Sequence, residues 1–149
     1  MSHSIRLSDP FAQRAQRPRQ RISLAGLRIL VAEDVEMVRD LITILLTREQ
    51  VSVTSVDNGQ AALDIAATQA FDIILMDMSM PIMGGFEATR RLRQSGGPNA
   101  HTPVVALTAN VSKAEIAQCQ RAGMDGHVAK PFTLDALSDA ISGLLQGDA

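Results

Sequence analysis

Two observations predict an α/β fold in which a parallel sheet carries helices on both faces. From Leu27 onward, five short apolar runs alternate with five segments whose apolar residues recur at helical spacing. One run, IILM at 73–76, holds four apolar residues in succession, as a strand covered on both faces requires.

Taken in order, LRILVAE (27–33) reads as a buried first strand. Val38, Leu41, Ile42, Leu45 and Leu46 then share one side of a helix. VSVTSV (51–56) alternates and is β-branched, so it is the second strand. DNG (57–59) turns the chain into an alanine-rich helix that runs to about Gln69. DIILMD (72–77) is the third strand and GGFEATRRLRQ (84–94) the third helix. Pro103 opens PVVALT (103–108), and a first strand position tolerates a residue with no N–H to donate. Ser112 and Glu115 have the spacing of a capping box at the start of a fourth helix, which Gly123 is placed to close. GHVAK (126–130) is a short fifth strand. Thr133 caps a last helix with Leu134, Leu137, Ile141, Leu144 and Leu145 on one side.

The chain has 149 residues, enough for one domain with a single sizeable core. Hydrophobic residues are 46% and charged residues 20%, which excludes a disordered chain. No apolar stretch approaches the roughly 18 residues of a membrane span, so no membrane association is expected. The one cysteine, Cys119, can form no internal disulfide and suits a reducing compartment; a cytoplasmic location is the expectation. Its place on a helix's inner side reads as packing. Without Trp or Tyr, a stacking platform for single-stranded nucleic acid is not expected in the domain.

The net charge of −2 hides an asymmetry. Residues 1–26 contain five arginines and one acid, leaving nine basic and fifteen acidic side chains for the rest. With Pro10 and Pro18 and no sustained periodicity, 1–26 is expected to be a flexible basic arm or linker. An organelle-targeting segment and an arm for nucleic acid or membrane are the alternatives. The folded domain is expected over 27–146, with 147–149 as a tail.

In open parallel sheets, ligands bind outside the carboxyl ends of the strands. Here the first strand ends in Glu33 and Asp34, the third in Asp77, the fourth in Thr108 and the fifth in Lys130. An ionised carboxylate at the edge of a core, as Asp77 would be, costs several kcal/mol unless paired. Three clustered carboxylates call for a cation, and an all-oxygen set suits Mg²⁺. With a fixed ammonium and a hydroxyl added, the set matches a phosphoryl group in transfer, with Asp77 as the carboxylate nucleophile.

Four stretches in register with the strands, VAEDVEMVRDL, ILMDMSMPIMGG, PVVALTA and GMDGHVAKPF, make residues 27–146 resemble the receiver domain of two-component response regulators. The last three look most like receivers of hybrid histidine kinases and their phosphorelays. The resemblance implies a flavodoxin-like sheet of order 2-1-3-4-5 and a phosphoacceptor that takes its group from a histidine kinase or histidine phosphotransfer protein. It implies that Asp77 is phosphorylated and that Asp34, Asp77 and the backbone carbonyl of Ser79 hold Mg²⁺, with Glu33 acting mostly through water. Lys130 would pair with Asp77 at rest and with the phosphoryl group afterwards. Thr108 would hydrogen-bond that group and draw its loop inward, past the small Ala109. Lys130–Pro131 would be a cis peptide.

One position departs from the pattern. Where receivers usually place Tyr or Phe as a switch partner of the threonine, this chain has His127, which is either a modified switch or a surface-facing strand residue. Ser79 and Asn110 flank the site and would tune hydrolysis. The methionines at 76, 78, 80 and 83 are read as packing, since thioethers do not suit Mg²⁺. A phosphatase with an aspartyl-phosphate intermediate is the enzymatic alternative, but such enzymes usually carry an acid–base aspartate two residues after the nucleophile, where Ser79 stands. A nucleotide-binding fold would need a glycine fingerprint that is absent. The expectation is therefore a phosphoacceptor and not an enzyme. It would signal through its own surface to an unidentified downstream target, either as a stand-alone receiver or as the receiver portion of a hybrid kinase.

Overall fold

Residues 22–109 and 111–146 are described by the structure, a computed structural model. The apolar runs form strands β1 (Arg28–Ala32), β2 (Ser52–Val56), β3 (Ile73–Asp77), β4 (Val104–Thr108) and β5 (Gly126–Ala129). Between and after them lie helices α1 (Glu36–Thr47), α2 (Gly59–Ala66), α3 (Gly85–Gln94), α4 (Lys113–Ala122) and α5 (Leu134–Leu145). All neighbouring strands pair in parallel, in the order β2-β1-β3-β4-β5 that the resemblance implied.

Strand side chains alternate between faces, so the apolar runs feed two cores. Ile73 and Leu75 of β3 join Ile42 and Leu46 of α1 and Leu137 and Ile141 of α5. Ile74 and Met76 face the other way, towards Ala62 and Ala66 of α2, Ala88 and Leu92 of α3 and Cys119 of α4. Each fully buried Ile or Leu contributes about 1.5–3 kcal/mol, and β3 and β4 are buried along their whole length.

The helix ends follow the expected chemistry. The side-chain oxygens of Asn58, Ser112 and Thr133 accept hydrogen bonds from the N–H groups of Ala61, Glu115 and Ala136. Gly123 closes α4 with a φ of +99°, a conformation that disfavours a side chain. Three expectations need correction. β1 stops at Ala32, leaving Glu33 beyond the strand, and α2 stops at Ala66 rather than near Gln69. Leu41 is 44% exposed, because it stands about 100° around the helix from Ile42, off the side that meets the sheet.

A buried polar residue with no place in the apolar pattern ties the layers together. Asn99, fully buried, accepts from the Phe71 N–H and the Thr102 hydroxyl and donates to the carbonyls of Ala66 and Gln69. That uses its whole hydrogen-bonding capacity.

Candidate functional site

Because the strands are parallel, their carboxyl ends share one edge of the sheet, and the three acids and the lysine singled out there meet. Carboxylate oxygens of Glu33, Asp34 and Asp77 lie within 4.8 Å of one another. Lys130 Nζ stands 3.3 Å from Asp77 Oδ1 and 3.4 Å from Glu33 Oε1. The Ser79 N–H donates to Asp77 Oδ1 at 3.4 Å. Thr108 is buried at the end of β4, and its carbonyl accepts from the Lys130 N–H at 2.9 Å, which fixes the lysine beside the acids. Lys130–Pro131 is cis, as the resemblance implied.

Local sequence explains how the pocket is held. The 78–84 loop is pinned by hydrogen bonds from Gly59 N–H to the Met83 carbonyl and from Gly85 N–H to the Met78 carbonyl. A Cβ on Gly85 would stand 2.3 Å from the Asp77 carbonyl oxygen, so only glycine lets α3 begin this close to the end of β3. Arg39 Nη1 donates to the Glu33 carbonyl, anchoring α1 to the loop that bears the two acids.

The electrostatics leave the pocket short of positive charge. Glu33 is fully buried and Asp77 is 3% exposed. Burial above all, then the charge of Glu33 and contact with the Asp34 side chain, push the Asp77 carboxyl up to about 7, against the weaker opposing pull of Lys130. Burial works to lower the Lys130 ammonium, but the charges of Asp77 and Glu33 outweigh it and hold it above the usual range. Glu33 Oε2 accepts from the Val35 N–H, whereas the buried Oε1 has no hydrogen bond. Three carboxylates around one ammonium, with Glu33 Oε1 held by that ammonium alone, fit a hard divalent cation with oxygen ligands.

His127 does not join this cluster. It is exposed on β5 opposite Ala106 and lines a groove with Cys119 of α4 and Asp139 of α5. Ala109 is exposed behind Thr108. Asn110, the tail at 147–149 and residues 1–21 of the arm lie outside the described residues. Met76 is buried, and Met78, Met80 and Met83 pack partly buried against the α2–α3 core, as packing residues do.

The sequence reading missed Ile82. It is 81% exposed and holds a φ of +68°, a conformation that a β-branched residue rarely adopts. Nothing in MPIMGG announces this. It also missed an exposed apolar set on the same edge: Val35 after β1, Met37 and Leu41 on α1, and Val111 after β4. Met37 and Val35 fall outside the inward side of α1, which was the available signal.

The chain matches the family model of the response regulator receiver domain over residues 29–142. Histidine kinase 1 of Arabidopsis thaliana is 31% identical over 85% of this chain, and hybrid signal transduction histidine kinase E of Dictyostelium discoideum is 40% identical over 75% of it. The chain spans only 13% and 7% of the length of those two proteins. Among solved structures, the receiver domain of the sensor histidine kinase PA1611 from Pseudomonas aeruginosa PAO1 has a magnesium ion coordinated in its active site cleft. It is 35% identical with a TM-score of 0.74, over 83% of this chain and 99% of that one.

Proposed function

This chain belongs to the response regulator receiver domain family, and from that premise we propose that Asp77 takes a phosphoryl group from a phosphohistidine on a histidine kinase or phosphotransfer protein. The observation that carries this reading is the pocket itself: a buried carboxylate at a strand end, 3.3 Å from a fixed ammonium and within 4.8 Å of two further acids. An oxygen of ionised Asp77 attacks phosphorus in line, the P–N bond to the donor imidazole breaks, and the imidazole keeps the electron pair and takes up a proton. The product is an aspartyl phosphate.

Each remaining residue has a part in that transfer. Asp34, Asp77 and Ser79, supported by Glu33, would hold Mg²⁺, which neutralises charge on the acids and on the phosphoryl oxygens. Lys130 leaves Asp77 for the phosphoryl group once it is bound. The Thr108 hydroxyl takes another phosphoryl oxygen, and His127, in the neighbouring edge strand, reports the change towards α4 and α5. No enzymatic activity beyond this self-catalysed transfer is assigned. A protein donor is supported by the exposed Val35, Met37, Leu41, Ile82 and Val111, which stand on α1 and the loops at the edge where Asp77 lies. Residues 27–146 form the acceptor domain; the arm expected over 1–26 is cut short at its end, because Leu24 is buried in the α1–α5 core and the Gly26 N–H donates to the Gln50 carbonyl.

The test uses phosphoramidate, a small donor with the same P–N bond. Intact-protein mass spectrometry should show one added phosphoryl group with Mg²⁺ and none with EDTA. Equal labelling in EDTA would refute the metal-assisted transfer.

A further inference from the structure

β1 ends at Ala32, and the two acids that follow it stand in the short connection to α1. That connection begins firmly, because the Glu33 N–H donates to the Val56 carbonyl at 3.1 Å. It ends without a side-chain cap, since the N-cap of α1 is Val35. One residue of α1 closes it. The Arg39 N–H donates to the Val35 carbonyl at 2.9 Å, and Arg39 Nη1 donates to the Glu33 carbonyl at 2.9 Å. Both neighbours of Asp34 are thus tied to Arg39 through their carbonyls. Arg39 is itself held one turn on, where the Thr43 hydroxyl donates to its carbonyl at 2.8 Å.

The partner of this guanidinium is informative. Three carboxylates lie at the same edge, yet Arg39 makes no ion pair among the described residues and gives Nη1 to a neutral carbonyl. Lys130 does the opposite, standing 3.4 Å from Glu33 Oε1 and 3.3 Å from Asp77 Oδ1. A guanidinium on a carbonyl holds the backbone through a charge-assisted bond and leaves the carboxylate oxygens open to a cation. It also stays charged at every working pH.

We infer that Arg39 is a positioning residue for the metal site: it holds Glu33 and Val35 so that Asp34 meets Mg²⁺ beside Asp77. This role rests on the metal-assisted transfer proposed above. The sign of the effect separates bracing from charge. A positive charge near the site repels a dication, so removing charge alone would tighten binding. Removing a brace frees Asp34 and weakens binding, by about tenfold or more where an outer partner orients a metal ligand.

Mg²⁺ titrations of the full chain, followed by amide shifts, test this on protein that is already folded. Arg39→Met should bind Mg²⁺ about tenfold more weakly than wild type. Arg39→Gln, whose amide is too short to reach the Glu33 carbonyl and whose polarity suits a half-buried position, should do the same. Arg48→Met removes an equal charge from the far end of α1, where Arg48 is exposed, and should bind as wild type does. In phosphoramidate labelling, the half-saturating Mg²⁺ concentration of Arg39→Met should rise by the same factor as its Kd. A residue that only stabilised the fold would lower the melting temperature and leave the Kd of the folded protein where it was. Equal or tighter Mg²⁺ binding by the Arg39 variants, or equal weakening in Arg48→Met, overturns the role of Arg39 alone. A wild type that binds no Mg²⁺ fails differently, removing the metal site and this role with it.

Discussion

Replacing Asp77 with asparagine should stabilise the metal-free protein, and by an amount that depends on pH. The folded state holds the Asp77 carboxyl near 7, against 3.8 for an unperturbed aspartate. A carboxyl raised in this way contributes its full stability below the unfolded value, and that contribution is lost as pH rises through the folded one. Each tenfold change in proton affinity is about 1.4 kcal/mol, so the loss above pH 7 has a ceiling of about 4 kcal/mol. Readjustment of Glu33 and Lys130 lowers it, to roughly 2–4 kcal/mol. Asparagine has the shape of the protonated acid and does not titrate. The two proteins should therefore melt together near pH 4 in EDTA and diverge up to pH 8. For a domain of this size, about 3–4 °C per kcal/mol places the variant roughly 6–16 °C higher. Saturating Mg²⁺ should close the gap, because a ligand held only by the folded wild type adds about 2.7 kcal/mol at a hundredfold excess over its Kd. Parallel melting curves from pH 5 to 8 in EDTA, or an Asp77→Asn protein less stable than wild type at pH 8, would refute the reasoning.

Asp34→Asn should also raise the melting temperature in EDTA at pH 7, while Mg²⁺ stabilises the wild type far more than this variant. A wild type with no Mg²⁺-dependent shift would remove the metal site. Asn99→Ala should cost about 2–4 kcal/mol in urea unfolding, because it strips partners from buried backbone groups of α2 and the start of β3; a loss below about 0.5 kcal/mol would contradict the role given to its four hydrogen bonds. Ile82→Asn should gain about 1 kcal/mol, since asparagine tolerates the left-handed backbone that costs isoleucine about 1–2 kcal/mol, and an unchanged stability would show that Ile82 is unstrained.

Most of the fold was legible because each element carried its own signal. The unbroken run at 73–76 suited a strand covered on both faces, and Ser112, Gly123 and Thr133 marked helix ends by capping chemistry. The site was legible because a parallel sheet delivers Glu33, Asp34, Asp77, Thr108 and Lys130 to one edge whatever the details of packing. Its tight approaches were less so. That Gly85 stands where a Cβ would strike the Asp77 carbonyl is a fact of two segments meeting, invisible in either alone. Asn99 gave no signal in the sequence, because its four partners are spread over residues 66–102. Ile82 was hidden for the opposite reason: its strain is local, but MPIMGG offers an ordinary apolar residue where a glycine would have signalled a left-handed turn.

The central claim is that one particular carboxylate receives the phosphoryl group, and locating the acyl phosphate tests it most directly. After labelling with phosphoramidate and Mg²⁺, borohydride reduction converts a phosphorylated aspartate to homoserine, which peptide sequencing by mass spectrometry then finds. The account predicts homoserine at position 77 and nowhere else, and no conversion in Asp77→Asn. Homoserine at position 34, or undiminished labelling of the Asp77→Asn chain, would contradict it.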